Sequence, residues 1–337
     1  MRTTMRAMTI HEYGAGPIFD ETMPMPSMNP NEVRVQIKAA SVNPIDYKTK
    51  HGDLKILLKY QFPFILGNDF SGVITEIGAN VTDYKVGDHV FGRPRKDKTG
   101  TFAEYISIDA SEIAPMPKNL TFEEAASIPL VGLTSYQALN DVMKLKEGDK
   151  VLIQAGSGGI GTIAIQLAKA MGLYVATTGS ERGQSLVESL GVDQFINYKQ
   201  EDFSKVLHDF DGVFDTLGGD NLKQSFDILK PGGTVVSISG VPTEKNAREL
   251  NLGIGKEILL NTISLPIKRR AKLTHTHYEF LFMHPSGKQL KILSQLIEKN
   301  KIKLIIDKVF EFKDTEQALE YSMNGHAKGK IIIKISE

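Results

Sequence analysis

The sequence predicts an α/β protein in two parts, a β-rich segment followed by a doubly wound parallel sheet with crossover helices. Three observations carry this. The chain has 337 residues, more than one hydrophobic core commonly serves, so two domains are expected. Its first 120 residues read mainly as short strands broken by Gly, Pro, Asn and Asp. From Lys150 onward, β-branched runs alternate with amphipathic helical stretches, the pattern of parallel strands joined by helices.

In the first part, Val33, Val35 and Ile37 alternate with polar neighbours, as on a half-buried strand. Residues 73–77, Val-Ile-Thr-Glu-Ile, read as a strand that stops at Gly78, and residues 86–90 hold a Gly87-Asp88 turn signal between apolar residues. Residues 102–108 alternate again, whereas residues 93–100 are polar, contain Pro and Gly, and are expected to form a surface loop. Thr121-Phe122-Glu123-Glu124 has the spacing of a capping box, so a helix opens there.

In the second part, residues 151–154 form a strand, followed by a glycine-rich turn and a helix. Ile160, Ile163, Ala164, Leu167, Ala168 and Met171 give that helix one apolar face. The alternation continues with a strand over 173–178, a helix over 182–190 and strands over 194–197 and 211–218. A helix over 221–229 and a strand over 234–240 follow. Residues 286–300 then have helical period, with Leu290, Leu293, Leu296 and Ile297 on one side, and residues 308–312 and 330–335 read as strands.

Composition removes several classes of function. The 40 basic and 40 acidic residues cancel, so there is no field to recruit nucleic acid or an anionic membrane. Lys268-Arg269-Arg270 is too short a run to change this and reads as a solvated loop or helix end. The absence of cysteine excludes disulfides, thiolate nucleophiles and Cys-ligated zinc. The opening residues, MRTTMRAMTI, lack signal-peptide features, and no apolar run approaches the roughly 18 residues of a membrane span. A cytoplasmic location is expected by elimination.

Gly156-Ser157-Gly158-Gly159-Ile160-Gly161 matches G-x-G-x-x-G, and its place between a strand and a helix of a βαβ unit makes the match informative. Gly156 is expected to permit the tight turn, Gly158 to let the backbone approach a pyrophosphate, and Gly161 to let helix and strand pack closely. The helix N-terminus then offers unpaired N–H groups to phosphate. An NAD site usually places a carboxylate at the tip of the second strand, whereas here that strand ends Thr177-Thr178-Gly179-Ser180. Ser180 and Arg182 instead offer a hydroxyl and a guanidinium to a 2′-phosphate, with Glu181 opposing. A charge-assisted bond contributes about 1.5–3 kcal/mol, so NADPH is expected over NADH by about ten- to a hundredfold.

Several further stretches carry a family likeness. They are ASVNPIDYK (40–48), LGNDFSGVITEIG (66–78), YKVGDHVFG (84–92), TFAEYISI (101–108), AASIPLVGLTSYQAL (125–139), VLIQAGSGGIGTIAIQLAK (151–169) and the closing GKIIIKI. With these the chain resembles the medium-chain dehydrogenase/reductase superfamily, in its zinc-free quinone oxidoreductase branch. The resemblance implies a GroES-like β-barrel catalytic domain, residues 1–122 completed by 286–337, with a Rossmann NADPH-binding domain, 123–285, inserted. It also implies an active-site cleft between the domains and a homodimer through the Rossmann sheets.

Zinc-dependent relatives have a Cys near the position of Asn43 and Gly-His-Glu where this chain has Gly67-Asn68-Asp69, so no catalytic metal is expected. His275 and His277 read as polar surface residues. By resemblance, Asn43, Asp46 and Thr134 surround the nicotinamide and its ribose, and Tyr198 flanks the adenosine phosphate. Ser239, Gly240 and Val241 close the fifth strand over the cleft, Phe282 and Met283 line the nicotinamide side near the sixth strand, and Lys328 and Gly329 form a C-terminal cofactor contact.

The Asn-Pro-x-Asp-x-Lys segment resembles plant-type enone and alkenal reductases at Lys48. An ammonium beside a substrate carbonyl would stabilise the enolate charge that builds as hydride reaches the β-carbon. Tyr47 competes as hydrogen-bond donor or proton source. Alternation on an extended segment would point the two in opposite directions, leaving one in the cleft. The expected reaction is hydride transfer from NADPH to a small electron-poor acceptor, a quinone or the C=C bond of an α,β-unsaturated carbonyl. The rival readings are an enoyl-thioester reductase, with Lys268-Arg269-Arg270 near a carrier phosphate, and a non-catalytic NADPH-binding structural or regulatory protein.

Overall fold

The computed structural model describes residues 3–325 and 327–336. The chain divides into two compact units, one formed by Met1–Leu133 with His284–Glu337 and the other by Thr134–Met283.

In the first unit, Thr4–Ile10 pairs antiparallel with Ile18–Pro24 on one side and the short Phe64–Ile65 on the other. A larger, seven-stranded sheet is built around Glu32–Val42. Its path runs Ile306–Glu311, Lys330–Lys334, Glu32–Val42, Phe70–Ile77, His89–Gly92 and Ile113–Pro115, and Tyr105–Asp109 also pairs with Glu32–Val42. The expected alternation holds: Val33, Val35 and Ile37 are buried and join Phe70, Ile74, Phe102 and Ile108 in the core. Ile331 and Ile333 from the far end of the chain enter the same core, because Lys330–Lys334 runs antiparallel to residues 39–42.

Capping at Thr121 is as the spacing predicts. Its hydroxyl accepts the Glu124 N–H at 3.2 Å and the Glu124 carboxylate accepts the Thr121 N–H at 2.8 Å, opening the helix Phe122–Ala126. Two local expectations are corrected. The ends of the 93–100 loop are interior: Arg93 is buried, its guanidinium donating to the Pro94 carbonyl at 2.7 Å, and Gly100 is buried against Ile65. The segment after Val42 is the helix Pro44–His51, not an extended stretch. Asn43 in extended conformation starts it, Pro44 suits its first turn, and Gly52 at φ 81° ends it.

The second unit holds a six-stranded parallel sheet in the order Gln194–Asn197, Tyr174–Gly179, Lys150–Ile153, Phe210–Asp215, Leu229–Ser237 and His277–Phe280. Counted along the chain this is the 3-2-1-4-5-6 order of the Rossmann fold, with its switch point beside the strand that leads into the glycine loop. The helix Gly159–Ala170 is buried over consecutive residues 161–168, more than the single expected face. Its polar members tolerate this because Thr162 donates to the Gly159 carbonyl and Gln166 to the Thr162 carbonyl, at 3.2 and 2.8 Å.

The 20-residue helix Ile254–Leu273 has no counterpart in the sequence reading, and the edge strand His277–Phe280 is the sixth strand expected beside Phe282 and Met283. Ile254, Ile258, Leu259, Ile263 and Leu273 are exposed on that helix, so apolar residues surround it and blur its period. Lys268-Arg269-Arg270 lies in its last turns, with Lys268 bonded to Glu244 and Arg270 to Asp227. Among the described residues, no helix is long and apolar enough to cross a membrane.

Candidate active site

The strand Lys150–Ile153 enters the glycine loop through Ala155, which takes φ 53°. The left-handed turn residue is thus Ala155 and not Gly156. What requires glycine at 156 is crowding, since an added Cβ would lie 2.2 Å from Thr177 Oγ1. At Gly161 it would lie 2.5 Å from the Ala155 carbonyl oxygen, the close helix-to-strand approach that was expected. At Gly158 it would meet nothing nearer than 3.4 Å, so this backbone surface stands open.

Gly158 is also the N-cap of the helix Gly159–Ala170 and carries no capping side chain. The N–H groups of Gly159, Ile160 and Gly161 therefore begin a helix without an intrahelical acceptor, a cradle that fits a pyrophosphate. The neighbouring strand braces the loop: Thr178 Oγ1 accepts the Ala155 N–H at 3.2 Å and the Thr178 carbonyl accepts the Gly156 N–H at 3.1 Å.

The next helix, Glu181–Ser189, presses on the loop tip. A Cβ at Gly183 would lie 2.6 Å from Ser157 Oγ. Its N-cap is Ser180, whose hydroxyl makes no capping bond, and Glu181 and Arg182 are exposed in its first turn. No ion pair is found for Arg182 among the described residues. The Tyr198 N–H donates to the Gly179 carbonyl at 3.2 Å, so its exposed ring stands at the same strand end.

Ser239, Gly240 and Val241 follow the fifth strand in a turn fixed by residues the sequence reading missed. Asp215 Oδ2 accepts the Ser237 hydroxyl at 2.5 Å, and Asp215 Oδ1 accepts the N–H groups of Leu217 and Gly218. Ser237 Oγ in turn accepts the N–H groups of Ser239 and Gly240, at 3.2 and 2.8 Å. Ser239 donates to the Thr216 carbonyl at 2.8 Å, and the Tyr278 hydroxyl donates to the Val241 carbonyl at 2.8 Å. Burial pushes the Asp215 carboxyl and the Tyr278 phenol upward. Phe282 lies just past the edge strand with its ring 4.9 Å from that of Phe280, and Met283 is buried. Thr134 is buried in the helix Pro129–Tyr136.

In the first unit, the helix Pro44–His51 carries Asp46, Tyr47 and Lys48. Consecutive helical positions differ by about 100°, so the opposition expected of Tyr47 and Lys48 on a strand does not apply. Tyr47 is half-buried against the core, and burial, with Asp53 nearby, pushes its phenol upward. Lys48 is half-exposed, and no ion pair is found for it among the described residues.

Asn43 and Asp46 face inward, into a buried polar cluster. Asp46 Oδ2 accepts the Asn43 N–H and Asp46 Oδ1 accepts from Asn68 Nδ2, both at 2.7 Å. Asn43 Nδ2 donates to the Ser41 carbonyl and to Asp69 Oδ1, each at 3.2 Å, and Ser41 donates to Asp69 Oδ1 at 2.6 Å. Lys330 Nζ donates to Asn43 Oδ1 at 2.5 Å and to the Val42 carbonyl at 3.2 Å, and lies 4.0 Å from Asp69 Oδ2. Burial pushes Asp46 up to about 7 despite its bonds to Asn68 and Asn43. Burial likewise raises Asp69 and lowers Lys330, and each opposes the other's shift.

Of the two C-terminal positions expected to contact cofactor, Lys328 is exposed and its N–H donates to Asp307 Oδ1. Gly329 takes φ 101° and is buried, where a Cβ would lie 2.2 Å from the Ile305 carbonyl oxygen. Lys330, the next residue, turns inward. Among the described residues, no three His, Asp or Glu side chains gather as metal ligands.

The family model described as alcohol dehydrogenase GroES-like domain matches residues 29–118, and the one described as zinc-binding dehydrogenase matches residues 190–333. A protein of Danio rerio named NAD(P)H oxidoreductase RTN4IP1, mitochondrial, is 34% identical over 360 residues, covering 100% of this chain and 92% of that protein. The 2-methylene-furan-3-one reductase of Solanum lycopersicum is 29% identical over 341 residues, covering 98% of this chain and 79% of its own length. Among solved structures, the quinone oxidoreductase from Coxiella burnetii matches with a TM-score of 0.84 at 35% identity, covering 98% of this chain and 99% of that one.

Proposed function

The chain belongs to the medium-chain dehydrogenase/reductase superfamily, and from that premise we propose that it is a zinc-independent, NADPH-dependent oxidoreductase. It transfers hydride to quinones or to the activated C=C bond of α,β-unsaturated carbonyls. The names of the tomato and Coxiella relatives support these acceptor classes. The observation that carries the reading is the uncapped helix start at Gly158, whose open backbone would receive a pyrophosphate, with the helix that Ser180 caps packed on the loop tip through Gly183 and Ser157.

NADPH, when bound, supplies the hydride. The main-chain N–H groups from Gly159 to Gly161 grip its pyrophosphate, Ser180 and Arg182 bind the 2′-phosphate, and Tyr198 flanks the adenosine end. Thr134, the turn Ser239-Gly240-Val241, Phe282, Met283, Lys328 and Gly329 complete the cofactor contacts in this reading. Lys48, half-exposed and without an ion-pair partner among the described residues, meets the acceptor carbonyl and stabilises the oxyanion that forms. Tyr47, packed on the core, shapes the wall beside it. Asn43 and Asp46 hold the first turn of their helix in place.

The edge strand His277–Phe280 ends its sheet and supports a homodimer formed by strand pairing with a second copy. Light scattering on the eluted protein measures this. Fractionation of the tagged protein decides between the cytoplasmic location expected above and the mitochondrial location in the zebrafish relative's name.

The enoyl-thioester alternative is weakened by Lys268 and Arg270, which are already engaged by Glu244 and Asp227. The test is NADPH oxidation followed at its near-ultraviolet absorbance with phenanthrenequinone, cyclohexenone and crotonyl-CoA. Turnover of either of the first two is the expected result. Tight NADPH binding with no acceptor reduced would overturn the enzymatic reading in favour of a binding role.

A further inference from the structure

Lys330 is a buried cation with a specific set of partners. It stands at the start of the last strand, 5% exposed, and reaches Asn43 Oδ1, the Val42 carbonyl and the neighbourhood of Asp69. Both ends of the Asn43 amide are engaged as a result: its oxygen accepts from Lys330, and its two amide hydrogens go to the Ser41 carbonyl and Asp69. The amide is thereby held in one orientation. Asn43 is also the residue from which the helix Pro44–His51 starts, and its N–H is tied to Asp46 within the first turn. A continuous chain of bonds therefore runs from Lys330 through Asn43 to the turn that presents Tyr47 and Lys48.

We propose that Lys330 is a positioning residue for the acceptor reaction, clamping the helix Pro44–His51 through Asn43 so that Lys48 is held in its working orientation. The proposal rests on the reading of Lys48 given above. A buried ion pair is a poor source of net stability, because desolvation offsets the attraction. Its use here is to allow one arrangement of the Asn43 amide. A methionine at 330 would preserve the stem's packing but remove the donor, leaving the helix start free to shift.

Two measurements test this in the full chain. Hydrogen exchange by mass spectrometry reads the clamp without any turnover: Lys330→Met should raise exchange in peptides spanning residues 44–51 at least fivefold, leaving the sheet at residues 70–77 unchanged. Kinetics read its purpose: Lys330→Met should lower kcat for cyclohexenone about tenfold, with the Kd for NADPH within twofold of wild type. In a Lys48→Met background the same change should cost less than twofold. Unchanged exchange over 44–51, an equal loss of kcat in both backgrounds, or a tenfold weaker NADPH complex would each overturn the proposal. If Lys330→Met does not fold, Lys330→Met with Asp69→Asn removes both charges together, and the same exchange result is required of it. A wild-type chain that turns over no acceptor would sink the enzymatic reading, while the exchange experiment would still judge the clamp.

Discussion

Two glycines three residues apart in the same loop should fail in opposite ways when each is given a methyl group. At Gly161 the new Cβ would lie 2.5–2.6 Å from the Ala155 carbonyl oxygen and the Gly156 Cα and carbonyl oxygen. All three are backbone atoms and none can swing aside. Overpacking of this kind costs about 3 kcal/mol, and better helix propensity returns about 1, leaving a net loss of about 2 kcal/mol. For a unit of about 150 residues that lowers Tm by about 4–8 °C. At Gly158 the nearest atom would be 3.4 Å away, and φ −80° with ψ 174° suits alanine. Gly158→Ala should therefore melt within about 2 °C of wild type, its weaker N-cap offset by lower chain entropy. Its methyl group would stand where the pyrophosphate approaches, and a loss of only about 1.4 kcal/mol there is a tenfold rise in Kd. Thermal melts paired with NADPH fluorescence titration separate the two outcomes. A Gly158→Ala protein that binds NADPH like wild type, or a Gly161→Ala protein that melts like it, would refute the assignment of cradle and close contact.

Three further outcomes are expected. Lys48→Met should lower cyclohexenone reduction more than tenfold without changing NADPH affinity; an unaltered rate would remove Lys48 from the mechanism and promote Tyr47. Arg182→Ala should bring the Kd values of NADH and NADPH to within about threefold, since the lost charge-assisted bond contributes about 1.5–3 kcal/mol; a preserved preference would refute its role. Asp46, pushed up to about 7, stays protonated when folded at pH values where the unfolded chain, with its carboxyl at 3.8, has released the proton. Its contribution is full below about pH 4 and fades as pH rises through 7, so Asp46→Asn should gain on wild type across that interval by at most about 1.4 kcal/mol per pH unit and level off above it. Urea midpoints across the range check the sign, and a gain that shrinks with rising pH would contradict it.

The parts of the molecule that could be read from the sequence are those with local signatures. The alternation from Lys150 onward, the capping box at Thr121 and the glycine loop each depend on residues a few positions apart. The polar cluster had no such signature. Lys330 meets Asn43 from 287 positions away, and in sequence it looks like any charged residue bordering an apolar strand. Asn68 and Asp69 appeared only as positions where zinc ligands were missing, whereas the structure gives both of them partners. The helix Pro44–His51 shows little helical period because its apolar content is slight, though Asn43-Pro44 is a sound helix start. Ala155 shows a different limit, since a left-handed turn drew attention to the glycine beside it when alanine holds the strained angle.

The pairing of Lys330–Lys334 with residues 39–42 has a consequence for biosynthesis. A ribosome delivers the Thr134–Met283 stretch whole, so that portion has every strand it needs before translation ends. The portion begun by the first hundred residues must wait, with residues 39–42 of its central strand unpaired on one side, until residues 330–334 are made. Nascent chains stalled before residue 330 should therefore expose a sticky β-edge and attract chaperones, and deleting residues 330–334 should leave that portion unable to close rather than merely frayed.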